Sequence, residues 1–104
     1  MKRRIRFLGG FFRDVREQKL WYDLRSTQAG AKFKQEVDAA VRHIRDWPES
    51  CHVIRQDVRR KGLKNFPFTV VYFTDTKETV VVGVMHFAQD FGLWLKLRFG
   101  LEEE

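Results

Sequence analysis

The sequence holds a single cysteine, Cys51, so it cannot form an internal disulfide, and oxidative stapling is excluded. A reducing compartment suits such a chain, and the cytoplasm is the expected one. No apolar run approaches the roughly 20 residues of a membrane-spanning helix. The basic start Met1–Arg6 is not followed by an apolar stretch long enough for a signal peptide. Glycines are isolated at Gly83 or paired at Gly9–Gly10, which excludes a glycine-rich phosphate loop. His43, His52 and His86 lie far apart, and Cys51–His52 has no second pair at ligand spacing, so no metal site is expected. Cys51 also lacks the surroundings of a nucleophile and reads as structural. Repeats and linkers are absent, and the 104 residues are expected to form one domain.

Against these absences stands a strong basic bias, with 20 Lys and Arg against 14 Asp and Glu and a net charge of +6. In a small domain that balance favours an acidic partner, although a solvated surface has the same composition. Hydrophobic residues make up 43% and charged residues 33%, a balance that supports a folded core rather than disorder. Ten of the aromatics are Phe, which bury much area per residue.

Periodicity orders the chain. Ile5 and Phe7 alternate with Arg4 and Arg6 as in a short half-buried strand over Lys2–Leu8, ended by Gly9–Gly10. From Phe11 to about Gln28 the pattern is helical, and Ala29–Gly30 punctuates it. Phe33, Val37, Ala40, Val41 and Ile44 then mark one face of an amphipathic helix that Pro48 ends. Two helices with a short break predict an antiparallel hairpin. Beyond Pro48 the texture predicts strands at Val53–Val58, Phe68–Phe73 and Thr79–His86, with a basic loop at Arg59–Lys64 and a turn at Thr74–Lys77. The fold class is therefore α+β, an N-terminal strand and a helical hairpin packed on an antiparallel sheet. Phe33, Val37, Val41 and Ile44 should pack on Val70, Tyr72 and Val82. The sheet is apolar on both faces, so the C-terminal segment or a partner must cover the second. Residues 89–101 fit both periods, with Leu93, Leu95, Leu97 and Phe99 alternating as in a strand and Phe91, Leu95 and Arg98 spaced as in a helix. Glu102–Glu104 reads as a solvated, disordered acidic end.

The ordered motifs resemble one family. Trp21–Tyr22 followed by Ala29–Phe33, the helix Phe33–Ile44 with Pro48, the run Val58–Phe68 through Asn65–Phe66–Pro67, the strand Val80–His86 and Trp94 together resemble the RelE/ParE toxin superfamily over roughly residues 5–98. The pattern is closer to the ParE-like, plasmid-stabilisation branch than to the messenger-RNA-cleaving RelE branch. After His86 this chain departs from the family pattern, with Gln89, Phe91 and Leu97 where an arginine, a proline and an arginine are usual.

The resemblance implies the toxin of a type II toxin–antitoxin pair, without a cofactor, that inhibits a bacterial target, DNA gyrase, by binding and is neutralised by a cognate antitoxin. The alternatives are a ribosome-dependent endoribonuclease and a non-toxic member of the fold. The residues expected at the target or partner surface are Arg55, Arg59, Arg60, Lys61, Lys64, His86, Trp94 and Arg98. As an endoribonuclease, Arg59, Arg60 and Lys61 would stabilise phosphate charge and His86 would transfer a proton. Trp94 reads equally as part of that surface or as packing over the sheet.

Overall fold

The computed structural model describes residues 3–99, so the expected acidic end at Glu102–Glu104 lies outside the described residues. Strand β1 (Arg4–Phe7) buries Ile5 and Phe7 in part and points Arg4 and Arg6 outward. Helices α1 (Gly9–Asp23) and α2 (Thr27–Asp46) form the expected hairpin. Its boundaries differ from the expectation. Gly9–Gly10 open α1 instead of merely ending β1, and the break falls at Leu24–Ser26. Ser26 is the cause, because its side chain accepts the Ala29 N–H and caps α2 three residues before Ala29. Gly30 then lies inside α2, where the Asp23 carboxylate of α1 packs against it and leaves no room for a Cβ.

After α2 the chain forms β2 (His52–Arg55), β3 (Val58–Gly62), β4 (Phe68–Thr74) and β5 (Glu78–His86). The expected single strand at Val53–Val58 is thus two, joined by a tight turn in which Gln56 takes φ 48°. No glycine or proline marks that turn. Its consequence is that Arg59, Arg60 and Lys61 belong to a strand and not to a basic loop, so their side chains alternate between the two faces of the sheet. Sheet order is β1-β5-β4-β3-β2. The four strands after the hairpin pair antiparallel, as expected, while β1 joins β5 in parallel and makes the sheet mixed.

The hairpin covers one face. Phe33, Val37, Ala40 and Ile44 are buried against Val70, Tyr72, Val81 and Val84. A bulge in β5 decides which valines join them. Tyr72 pairs with Val81 but Val71 pairs with Gly83, so Val82 is an extra residue, and every side chain after it changes face. Val82 alternates with Val81 and packs with Val71 and Met85 on the opposite face rather than beneath the hairpin, while the bulge turns Val84 to the hairpin side. Val41 is half-buried at the flank of the core. Tyr72 is fully buried and its hydroxyl donates to the Pro48 carbonyl, which ties β4 to the end of α2. Burial pushes its phenol above the ordinary range, and the nearby Cys51 adds to that shift.

The second face is covered in part by α3 (Phe91–Phe99) through Trp94, Phe91 and Leu95. Of the two periods legible in this segment, the helical one is realised. Asp90 caps α3 by accepting the Leu93 N–H at 2.8 Å, which starts a helix where alternation alone suggests a strand. No helix among the described residues is long and apolar enough to cross a membrane.

The loop between β3 and β4 is anchored to α2 by Glu36, which accepts from the Asn65 backbone N–H and from Asn65 Nδ2, both at 2.8 Å. Partial burial raises the Glu36 pKa, but the bonds from Asn65, the Lys64 backbone and the charge of Lys32 outweigh it, leaving the value below normal.

Two outcomes follow from this packing. Phe33→Ala should cost about 3–5 kcal/mol in urea unfolding, since Phe33 is fully buried at the centre of the hairpin core. A loss under about 1 kcal/mol would contradict that placement. The depressed pKa of Glu36 means that its contribution is complete above the unfolded value of about 4.3 and is lost as pH falls through the lower folded value. Glu36→Gln should therefore be less stable than the wild type at neutral pH and should converge with it in acid. Parallel pH–stability curves would show that Glu36 does not anchor this loop.

Candidate functional site

The eight residues expected at one surface are separated by the fold into distinct places. His86, Trp94 and Arg98 do come together. They line a cleft of about 570 Å³ between α1 and α3, whose other walls include Asp14, Gln18, Tyr22 and Gln89. Arg55 and Arg60 lie on the α3 side of the sheet, Arg55 over the Phe91 ring at 5.7 Å and Arg60 over the Phe87 ring at 6.0 Å. Arg59 is committed elsewhere, because its Nη1 donates to the carbonyls of Glu49 and Cys51, each at 2.9 Å. It braces the segment after α2 against β3. Lys61 is half-buried opposite Val70, and Lys64 is exposed on the loop that Glu36 anchors. The proposed catalytic group of Arg59, Arg60, Lys61 and His86 is thus not one constellation.

The cleft is organised by an acid of α1 that no sequence motif marks. Asp14 reaches from α1 to β5, where its Oδ2 accepts the Val84 N–H at 2.8 Å, and its Oδ1 accepts from Arg98 Nη2 at 2.7 Å. The Arg98 guanidinium lies 4.4 Å from the centre of the Trp94 ring. Trp94 in turn packs on Gly83, where an added Cβ would come 2.9 Å from its ring and 2.7 Å from Asp14 Oδ2. One carboxylate therefore joins α1, β5 and α3. Both members of the ion pair are partly buried, with side-chain exposures of 22% for Arg98 and 11% for Asp14. Trp94 is itself 7% exposed, so it serves as packing over the sheet and as a wall of the cleft at once.

His86 ends β5 and stacks edge-on against Phe68 at 5.1 Å. Its Nδ1 accepts the Ala88 N–H at 2.9 Å, which assigns the proton of the neutral ring to Nε2 and leaves that nitrogen for an outside partner. Gln89 bends back so that its Oε1 accepts the His86 backbone N–H at 2.9 Å. In the sequence Gln89 stood out solely as a departure from a family pattern. The role of Asp14 carried no local signal, since its partners are 70 and 84 residues away.

The chemistry available here is limited by charge. The cleft's arginine is already paired with a carboxylate, and Glu17 adds a second carboxylate to the wall. A phosphate would meet no lysine or arginine in the cleft lining that is free of a carboxylate partner. Apolar surface is plentiful by contrast. Trp21 on the α1 bank and Leu93 and Leu97 on α3 are 47%, 54% and 77% exposed. A second cleft of about 540 Å³ continues the surface past Trp94 and Arg98 to Leu93 and Leu97. Among the described residues no group of acidic, histidine or cysteine side chains is placed to hold a metal ion.

Comparison with known proteins adds the following. The family model described as the ParE toxin of type II toxin-antitoxin system, parDE, matches residues 5–91. The match thus ends at the first residue of α3. Among solved structures the chain is similar to one from P. aeruginosa described as a chromosomal ParDE TA system, with a TM-score of 0.71 and 13% identity, covering 82% of this chain and 96% of that one. At that identity the likeness is one of fold. The curated proteins contain no match.

The Gly83 contact makes the attachment of α3 testable. Gly83→Ala should lose about 1–3 kcal/mol through overpacking. Trp94 should become more exposed, read as a red shift in fluorescence in a background where Trp21 and Trp47 are replaced by Phe. Unchanged emission would mean that Trp94 does not rest on Gly83.

Proposed function

The chain belongs to the ParE toxin family of type II toxin–antitoxin systems, and on that premise we propose that it inhibits DNA gyrase by binding, in the bacterial cytoplasm, and is neutralised by a cognate antitoxin. The observation that carries the choice of binding over RNA cleavage is the Arg98–Asp14 ion pair. Phosphoryl transfer needs charge stabilisation and proton transfer held in one geometry. In this cleft the arginine that would stabilise phosphate charge is neutralised at 2.7 Å, and Arg59 is bound to backbone carbonyls. Of the β3 cations, Arg60 lies on the face opposite His86 and Arg59 is spent on backbone carbonyls, which leaves Lys61, opposite Val70, as the one β3 cation on the His86 face. A protein target asks for something else, an apolar surface with a few polar anchors. The banks at Trp21, Leu93 and Leu97 around Trp94 supply that kind of surface. The net charge of +6 suits an acidic antitoxin and would speed its capture at low salt.

The endoribonuclease reading retains one supporting observation, the open Nε2 of His86 at the cleft. The two readings separate in paired assays. Gyrase supercoiling should be inhibited by the chain, and primer extension on programmed ribosomes should show no cleavage. Trp94→Ala or Leu97→Glu should weaken supercoiling inhibition by about tenfold or more, as expected for an anchor residue. Ribosome-dependent cleavage that His86→Ala abolishes would replace the gyrase reading by the nuclease one.

A further inference from the structure

The sheet face away from the hairpin is covered only in part. Trp94, Phe91 and Leu95 of α3 form one cluster there with Ile54, Val58, Val71, Val82 and Met85. Arg60 pairs with Val71 and shares this face, and by alternation Gly62 does too. His52 stands opposite Arg60 on the edge strand β2, so it lies on the same side. The Phe87 ring leans on Gly62, where an added Cβ would come 3.3 Å from its Cζ. That ring is still 50% exposed, and His52 and Arg55 are exposed beside it. Arg60 reaches toward the Phe87 ring and Arg55 toward the Phe91 ring. The uncovered strip thus alternates cationic groups with aromatic surface. It is also of one sign. The strands β2, β3 and β4 contain no acidic residue. Of the acids nearest in sequence, Asp57 lines a separate cleft with Arg3 and Arg59, and Asp90 caps α3. Among the described residues neither Arg55 nor Arg60 is paired with a carboxylate. Their charge is left to solvent or to an anion from outside.

We propose that this strip binds single-stranded DNA, with a base stacked on the exposed side of the Phe87 ring and phosphates held by Arg55, Arg60 and His52. Every base has a flat face, so a ring between cations grips a strand without reading its sequence. An unpaired strand fits better than a duplex, because pairing and stacking hide the faces a ring would meet. An acidic peptide would meet the same charges but offers Phe87 no flat face. The strip is separate from the cleft, since His86 pairs with Phe68 of the hairpin core and lies on the other side of the sheet. The choice of DNA over RNA rests on the gyrase reading above, because the two strands carry the same kinds of group. A chain held on gyrase by its cleft would turn this opposite face to the enzyme's DNA.

Fluorescence anisotropy with a labelled single-stranded DNA of about 12 nucleotides tests this on the purified chain. Binding should show a Kd below about 100 µM at about 50 mM salt. Phe87→Leu keeps the apolar bulk but removes the ring, and should weaken binding by about fivefold to a hundredfold. Phe87→Trp should bind at least as tightly as the wild type. Arg60→Glu should weaken binding by about tenfold or more and reduce the salt slope by about 0.7, the loss of one phosphate contact. Arg42→Glu makes the same charge change at an exposed position on α2 and should leave Kd within about twofold. Phe87 and Arg60 lie outside both core clusters, so these variants should fold. Absent binding, an unchanged Kd in Phe87→Leu, or equal losses in Arg42→Glu and Arg60→Glu overturns the proposal. Tighter binding of the matching duplex overturns the stacking role, and tighter binding of the matching RNA overturns the choice of DNA. A poly-glutamate peptide that binds as tightly as the oligonucleotide makes the strip a protein surface and overturns it too. Supercoiling inhibition is read in parallel. A chain that binds the DNA as expected but leaves gyrase active keeps this inference and loses the gyrase reading.

Discussion

The carboxylate of Asp14 is where the three layers of this protein are fastened. One oxygen takes a backbone N–H that the sheet leaves without a strand partner, and the other takes the guanidinium that holds α3 in place. A bare edge donor in a half-covered strand costs free energy unless it is bonded or wetted. A lone arginine in the same crevice would cost more. The two needs are met by a single acid, and Trp94 closes over the result by resting on a residue that has no side chain. The position of α3, the shape of the cleft and the covering of the β5 edge all follow from that junction.

The bulge in β5 makes the junction possible. By inserting Val82 it gives Val81 and Val84 to the hairpin core and Met85 to the α3 side, so one strand supplies both cores out of phase. It also lies just past the last residue paired with β1. Bulges commonly occur at edges and beside functional surfaces, where they turn backbone groups away from the ladder. Here the backbone at Val84 is turned to a helix side chain, and the cleft opens at the same point.

Electrostatics divide the surface by purpose. The basic excess is spread over helices and strands, but inside the cleft the one arginine is paired with Asp14, Glu17 adds a further carboxylate, and polar and apolar side chains line the walls together. A surface of that kind recognises protein more readily than phosphate. The helix α3 that forms its far wall starts at the residue where the family match ends.

How much of this was legible in the sequence depended on how local the cause was. The helical stripe Phe33–Ile44 and the alternation in β4 and β5 are repeated patterns within one segment, and they identified the hairpin, the meander and their shared core. His86, Trp94 and Arg98 line one cleft, but the sequence reading had grouped them with Arg55, Arg59, Arg60, Lys61 and Lys64, which the fold places elsewhere. The Gln56 turn was missed because a positive φ was taken up by a residue other than glycine, and three basic residues were read as a loop in consequence. The parallel placement of β1, the face exchange at Val82 and the pairing of Asp14 with Val84 and Arg98 had no sequence signature at all. Each depends on residues about 70 or more positions apart, or on a register set by one inserted residue. Composition and periodicity determined that this is a basic α+β domain with an amphipathic helical hairpin, since burying apolar stripes is a local requirement. Only the tertiary structure decided which charges remain free, because that depends on which distant groups the closed chain brings within hydrogen-bonding distance.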